Sequence, residues 1–210
     1  MELAGNLCLQ PETPPSPDRS TSSGETSSTV NTLVRTIQTL KRRRAALPDE
    51  LSYLAVNESS RQWWKELSDF WAAPASVRGY HRPNQTQGDH SRRVFKLACR
   101  HWHRVPWDHL RRNRRVCRSF LRAALFHDVG KITDRRRHEI ESFHWMLPKD
   151  QLAAFFVLHH MGRWSCINDA EKNDLLERAG VLHLSTPEHL WLADLLCAAD
   201  FTEACCWDIT

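Results

Sequence analysis

Cysteine pairs at CxxC spacing are missing from this 210-residue chain, and with them the sequence signature of a sulfur-held structural zinc. The cysteines present, Cys8, Cys99, Cys117, Cys166, Cys197, Cys205 and Cys206, are scattered and odd in number. That predicts reduced packing thiols and a cytoplasmic setting, not a disulfide framework. No apolar run approaches the ~18–20 residues that span a bilayer, so no membrane partner is expected. The start of the chain has Glu2, no basic cluster and no long apolar stretch, which excludes the pattern of a secretory signal. A strong charge of one sign is lacking too: +4 over the whole chain permits an anionic partner without arguing for one. Alternation at period two is scarce, which counts against a β architecture. Tryptophan, by contrast, is abundant at nine residues, and apolar residues make up 41%, enough to build a core.

Residues 11–30 are dominated by Pro, Ser, Thr and charge, a composition that cannot bury enough apolar surface to offset its ordering entropy. A disordered tail is therefore expected over 1–30. A short helical extension follows over 31–73. Leu33, Ile37 and Leu40 recur at helical spacing before the basic run Lys41–Arg44, and a second helix is predicted over Ser60–Ala72. Trp63, Leu67, Phe70 and Trp71 supply its apolar face, and Pro74 ends it. The stretch through His81, Pro83 and Gly88 reads as a loop. From Asp89 onward apolar residues repeat at three and four, so residues 74–210 form an all-α domain.

Within these helices several polar residues stand where apolar ones belong. His90 lies four residues before Val94 on a stripe continued by Leu97 and Ala98. His127 and Asp128 continue the stripe of Phe120, Leu121, Ala124 and Leu125, directly before Gly130. His160 follows Leu152 and Phe156 at steps of four and is preferred as ligand over its neighbour His159, the alternative, which is left to orient a ligand or face solvent. Asp200 follows Ala193, Leu196 and Cys197 and is preferred as the last ligand for that reason; Asp194, on a different face of the same helix, is the alternative. His138 shares a face with Glu141, Ser142 and Trp145. A lone histidine in such a place is ordinarily a hydrogen-bonded core residue, and a buried Arg is an ordinary partner for Asp128. A metal ion is one partner that offsets the cost of burying a whole series of such groups together.

Imidazole and carboxylate without thiolate suit a divalent Zn, Mn, Fe, Co or Ni ion, alone or alongside Mg. His90, His127, Asp128 and Asp200 are candidates to hold one ion. His138 and His160 are candidates for a second, with Asp128 bridging. Two ions ~3.5–4 Å apart stabilise the attacking and leaving oxygens of a displacement at phosphorus. Asp128 and Lys131 are then the candidate catalytic residues, Lys131 neutralising a phosphate oxygen or serving only as a solvated helix-end cation. Arg163 and Lys131 are the candidate substrate contacts. Arg163, Trp164 and the run Arg135–Arg137 can meet phosphate or base, or face water.

The string His127-Asp128-Val129-Gly130-Lys131 resembles the signature of the HD superfamily of metal-dependent phosphohydrolases. Asp89-His90-Ser91 followed by Val94 looks like that family's earlier His element, and Ala198-Ala199-Asp200 like its late Asp. His138–Ser142 and His159–Trp164 are similar to the His stations of members with two metals. The resemblance covers roughly Pro74 to Glu203. It implies an HD-domain helical bundle over 74–210 that hydrolyses a phosphoester or phosphoanhydride, with a nucleotide as the expected phosphorylated small molecule. The stretch Phe70–His90 is more loosely similar to the approach to the first His in HD-type exoribonucleases. It departs from them at Thr86-Gln87-Gly88-Asp89, where those proteins carry paired Gly and Leu, and no nuclease is assigned on it. Two other readings stay open: a non-catalytic HD-fold binding or regulatory module, and a nuclease acting on RNA or single-stranded DNA. Nucleic acid is a possible partner through Lys41–Arg44 and Arg111, Arg112, Arg114 and Arg115, although solvated charge accounts for both clusters as well. The sequence leaves the oligomeric state open.

Overall fold

The computed structural model describes residues 58–75 and 81–205. The tail expected over 1–30 and the helix expected from Asn31 through the basic run lie outside the described residues. Among those described there are nine α-helices: α1 Glu58–Glu66, α2 Ser68–Ala72, α3 Gln87–Trp102, α4 Asp108–Arg111, α5 Arg114–Phe126, α6 His138–Met146, α7 Gln151–His159, α8 Asp169–Arg178 and α9 Pro187–Cys205. Short 3-10 turns cover Val129–Ile132, Gly162–Trp164 and Leu182–Leu184. No strand occurs among the described residues; one isolated bridge pairs Pro74 with Thr86. The class is all-α, as the periodicity predicts.

Local chemistry sets the helix starts. Asn113 Oδ1 accepts from the backbone N–H groups of Arg115 and Val116 at the head of α5. Asp150 accepts from that of Ala153 at the head of α7. Each such cap is worth about 1 kcal/mol. Thr86 and Asp89 form a reciprocal capping box, so α3 starts at Gln87, before the Asp89 start expected. Gly88, read as loop, is helical, and its backbone lies against α2. A Cβ there would stand 3.1 Å from both Cβ and O of Trp71. The single helix expected over Ser60–Ala72 is broken at Leu67 into α1 and α2. Trp64 and Trp71 are its fully buried members, whereas Trp63, Leu67 and Phe70 pack at the edge of the core.

The core lies among α3, α5, α7 and α9, with α6 laid on α7. Phe120, Phe126, Phe143, Phe155, Phe156 and Leu158 are fully buried in it. The tryptophans have a structural use. Trp64 stacks on Trp71 at 4.1 Å between ring centroids, and the Trp71 indole donates to the Trp64 carbonyl. Both rings meet Phe126, as does Trp145. Aromatic pairs of this kind add about 0.5–1.5 kcal/mol each beyond their buried area. They anchor Phe126, the residue just before the most polar point in the core.

Candidate metal centre

That point is built from five chain segments, one of which, the end of α7, supplies His160. α3 contributes His90, which is fully buried because Val94 and Ala98 on the same face are. α5 ends at Phe126, so His127 caps it and Asp128 follows; both are buried. The chain then turns through Val129–Ile132, pressed onto the first turn of α6. A Cβ on Gly130 would stand 2.3 Å from the His138 carbonyl oxygen and 2.5 Å from the Ser142 nitrogen. Only glycine allows this approach, and it brings His138 to Asp128. α9 delivers Asp200, and three residues further along it Glu203 Oε1 accepts a hydrogen bond of 2.6 Å from Gln85 Nε2, in the chain just before α3.

Two imidazole nitrogens, His90 Nε2 and His127 Nε2, each stand near two carboxylate oxygens, Asp128 Oδ2 and Asp200 Oδ1. His90 Nε2 lies 3.0 Å from Asp200 Oδ1, 3.2 Å from His127 Nε2 and 3.6 Å from Asp128 Oδ2. His127 Nε2 lies 3.5 Å from each carboxylate oxygen. An ion bound at ~2.0–2.1 Å needs neighbouring ligands about 3 Å apart in octahedral and about 3.4 Å apart in tetrahedral geometry. The observed separations fall at those values. A second group, Asp128 Oδ1 with His138 Nε2 at 3.2 Å and His160 Nε2 at 4.0 Å, is wider. Asp128 thus offers one oxygen to each group, and three compact sets could hold a metal ion: His90, His127 and Asp128; His127, His160 and Asp200; and Asp128, His138 and His160.

The rings are aimed by one repeated device. The Nδ1 of His127 bonds to the Ala124 carbonyl at 3.0 Å, that of His160 to Val157 at 2.6 Å, and that of His138 to Arg135 at 3.1 Å. A carbonyl oxygen only accepts, so Nδ1 carries the proton and Nε2 presents its lone pair to the cluster. His160 Nε2 has no hydrogen-bond partner although it is buried, an orphan acceptor that an ion would satisfy. His90 differs, since its Nδ1 is the unpartnered atom.

Electrostatics prepares the same donor set. Burial alone would raise the Asp128 carboxyl, but Lys131, His127, His138 and His90 together hold it well below the usual carboxylate range. Asp200 is likewise held low, against burial, by His127 and His90. Burial and the neighbouring His127 and His138 push His160 down to about 3. Burial also lowers His138 against the pull of Asp128. Burial opposes a proton on His127 as well, yet the two carboxylates outweigh it and raise that group. Near neutral pH the carboxylates are ionised and His138 and His160 are neutral, the states in which these groups ligate metals.

Asp128 Oδ2 already accepts from Gln87 Nε2 and Lys131 Nζ, both at 2.5 Å. An ion at that oxygen displaces one donor, and Lys131, on a flexible stem at the edge of the site, is the one able to move. The partner of Asp128 is therefore this lysine, not the arginine considered from sequence. Beside the cluster opens a cavity of 420 Å³. Its ionic wall carries Asp128, Lys131 and His138, and its other wall carries Met161, Trp164 and Phe201. Trp164 and Phe201 stack at 4.8 Å, nearly parallel, and both are substantially exposed.

Of the residues singled out from sequence, His90, His127, Asp128, Lys131, His138, His160 and Asp200 come together. Asp194 is exposed and outside the cluster. His159 turns to a neighbouring hollow that Arg163 also lines. Arg163 is not among the residues lining the cavity beside Asp128; its guanidinium lies over the Trp164 ring at 4.4 Å. Two members were not recognised. Gln87 carried a signal, the Thr-x-x-Asp capping pattern that places it in the first turn of α3. His81 carried none, because it lies in irregular chain. It lines the cavity, its ring meets His90 edge-on at 4.5 Å, and its Nδ1 has no partner among the described residues. Burial, with His90 and Lys131 nearby, lowers His81 to about 4.

No family model, curated protein or solved structure matches the chain. The site itself is a helical bundle's buried His/Asp cluster that can hold a metal ion. Among the described residues no helix is long and apolar enough to cross a membrane.

Proposed function

We propose that this chain is an HD-type, metal-dependent phosphohydrolase acting on a phosphoester or phosphoanhydride bond of a nucleotide. The observation that carries the reading is a buried pair of imidazoles, His90 and His127, whose Nε2 atoms lie 3.2 Å apart and each within 3.0–3.6 Å of two carboxylate oxygens beside a ligand-sized cavity. The resemblance of His127–Lys131 and its flanking stations to the HD pattern supports it. His90, His127, Asp128 and Asp200 would hold one divalent ion, and His138 and His160 with the other Asp128 oxygen a second. Bound there, such an ion supplies Lewis-acid polarisation of a phosphoryl oxygen and a water acidic enough to ionise near neutral pH.

The remaining groups act on the substrate directly. Lys131, once released from Asp128, meets a phosphate oxygen with full charge. Neutral His81 offers its ring to an oxygen in the same cavity. The exposed Trp164–Phe201 pair gives a flat apolar wall beside these anion-binding groups, an arrangement suited to a ligand with a base at one end and phosphate at the other. This pair favours a nucleotide over a small aliphatic phosphate.

The test is purified protein supplied with Mn, Co, Ni or Zn and screened over nucleoside triphosphates, monophosphates, cyclic nucleotides and short RNA. Turnover of at least one, abolished by Asp128→Ala, is the expected result. Absence of transition-metal binding at micromolar concentration would remove the reading. Metal binding without turnover on the panel would leave a non-catalytic HD module instead.

A further inference from the structure

The opposite end of α5 carries a second hollow, of 490 Å³, lined by Arg115, Arg118, Ser119, Arg122, Lys149 and Asp150 among others. Arg118 lies nine residues before His127 on the same helix, a distance of ~13.5 Å along the axis. Lys149 and Asp150 lie beyond the far end of the helix that starts at His138. The hollow is therefore distinct from the metal cluster.

Its charge is unbalanced. Among the described residues Asp150 is the one carboxylate lining it, and that group is fully engaged. It accepts from Ser119 Oγ at 2.9 and 3.0 Å, from Arg122 Nη1 at 2.8 Å and from the Ala153 backbone. Arg122 is buried at the floor, 8% exposed. Its Nε donates to Ser60 Oγ and its Nη1 to Asp150, which leaves Nη2 without a partner among the described residues. Arg115 and Arg118 are exposed and make no ion pair among the described residues. Lys149 adds charge, although its Nζ is held by the Trp145 carbonyl.

The spacing is ordered as well. Arg115, Arg118 and Arg122 follow at steps of three and four, which places them on one face of the helix about 5–6 Å apart. They form a row ~10 Å long, and Arg114 stands exposed at its head. A row of that length exceeds what one phosphate fills. Among the described residues no aromatic ring is part of the lining, the nearest, Trp63 and Trp145, being covered by Arg122 and Lys149, and none of the large exposed apolar residues, Ile132, Trp164, Leu182, Leu190 and Phe201, lines it. Such a surface suits repeated phosphates contacted without base readout, and it lacks the apolar anchors of a membrane-binding face.

We propose that this hollow docks the sugar-phosphate backbone of a nucleic acid, with Arg122 as the fixed anchor and Arg115 and Arg118 as successive phosphate contacts. The site is independent of the metal cluster.

The test is fluorescence anisotropy of the full chain with labelled 20-nucleotide single strands and duplexes, in chelator, over 50–200 mM salt. The expected result is binding that weakens steeply with salt. The variant Arg115→Gln/Arg118→Gln should weaken it by about tenfold and lower the slope of log K against log salt by about 2. A control of equal charge, Arg100→Gln/Arg178→Gln on exposed parts of α3 and α8, should change affinity less than twofold. Equal weakening by both variants, unchanged binding in the first, or no binding at 50 mM salt would each overturn the proposal. Full displacement by millimolar ATP or inorganic phosphate at constant ionic strength would overturn it in favour of a small-anion site. Both variants lie at exposed positions, and matching melting curves with the wild type confirm that each is folded.

Discussion

Asp128→Asn tests the cluster most directly, because it keeps the shape of the side chain and removes its charge. In the metal-free protein the Asp128 carboxylate pairs with Lys131, whose side chain is 13% exposed, and accepts from the buried Gln87. Asparagine leaves the ammonium without its carboxylate and turns one acceptor into a donor facing other donors. Breaking a buried pair costs about 3–5 kcal/mol, and the partial exposure of Lys131 argues for the lower end, about 3 kcal/mol. For a domain of ~150 residues this lowers Tm by about 6–12 °C.

Metal changes the comparison. An ion at 100 times its Kd stabilises the wild type by about 2.7 kcal/mol, worth about 5–11 °C at the same conversion. Two of the three compact ligand sets contain Asp128, so the variant should lose that gain. The gap between the proteins is then about 3 kcal/mol in chelator and about 6 kcal/mol in metal. Melting curves of both, in EDTA and in 100 µM MnCl2 or ZnCl2, measure this. Asp200→Asn is the companion: among the described residues no lysine pairs with Asp200, so its metal-free Tm should stay nearer the wild type while the metal-induced shift falls. Identical melting of the wild type in chelator and metal would refute the reasoning, as would a full metal-induced shift in the Asp128 variant.

Three further outcomes follow from the geometry. His160 is pushed to about 3 from an ordinary 6.5, and Asp128 and Asp200 are held well below 3.8. Between pH 6.5 and 3 the unfolded chain therefore binds protons that the fold refuses, and below about 4 the carboxylates add to the same trend. Metal-free Tm should fall steadily from pH 7 to pH 4, and a flat profile would contradict this assignment. His127, raised by its carboxylates, has the opposite sign. Its contribution is complete below 6.5 and is lost as pH rises through its folded value. Gly130→Ala forces a Cβ to 2.3 Å from a backbone oxygen, so it should destabilise by at least about 1–3 kcal/mol, seen as a lowered denaturation midpoint. Trp164→Ala should raise KM for a nucleotide by roughly 5- to 150-fold, from ~1–3 kcal/mol of stacking. It should leave KM for inorganic pyrophosphate unchanged, and equal effects on both would argue against a base-stacking wall.

The sequence made the all-α class legible because apolar residues repeat at three and four from Asp89 onward. The core of the cluster was legible for the same reason: His90, His127, His160 and Asp200 each fall on a stripe whose other members are apolar. What periodicity could not reach is what lies where it stops. His81 sits in chain without a repeat, and only the packing of that segment onto α3 brings its ring to His90. Gln87 was hidden by a misplaced helix start, although Thr86 and Asp89 spell the capping box that fixes it. The break at Leu67 went unseen because the apolar face of 60–72 looks continuous. The buried choice of Trp64 over Trp63 is made by the stack on Trp71 and Phe126, a tertiary contact.

The places where those stripes end also explain how the ligands are aimed. A helix leaves its last four carbonyls without intrahelical partners. Ala124 lies in the last turn of α5 and Val157 in that of α7, and their oxygens take the Nδ1 protons of His127 and His160. Helix termination and ligand orientation are thus one event. Were α5 continued by another turn, the N–H of residue 128 would claim the Ala124 carbonyl, and the His127 ring would lose the bond that turns Nε2 toward His90. A histidine followed by further helix has no such free carbonyl behind it, and His90, in the first turn of α3 with the rest of the helix after it, lacks this device. Its Nδ1 stays unpartnered, and its position depends on Asp200 at 3.0 Å. Of the four imidazoles, His90 is therefore the one whose orientation should suffer most when Asp200 is replaced.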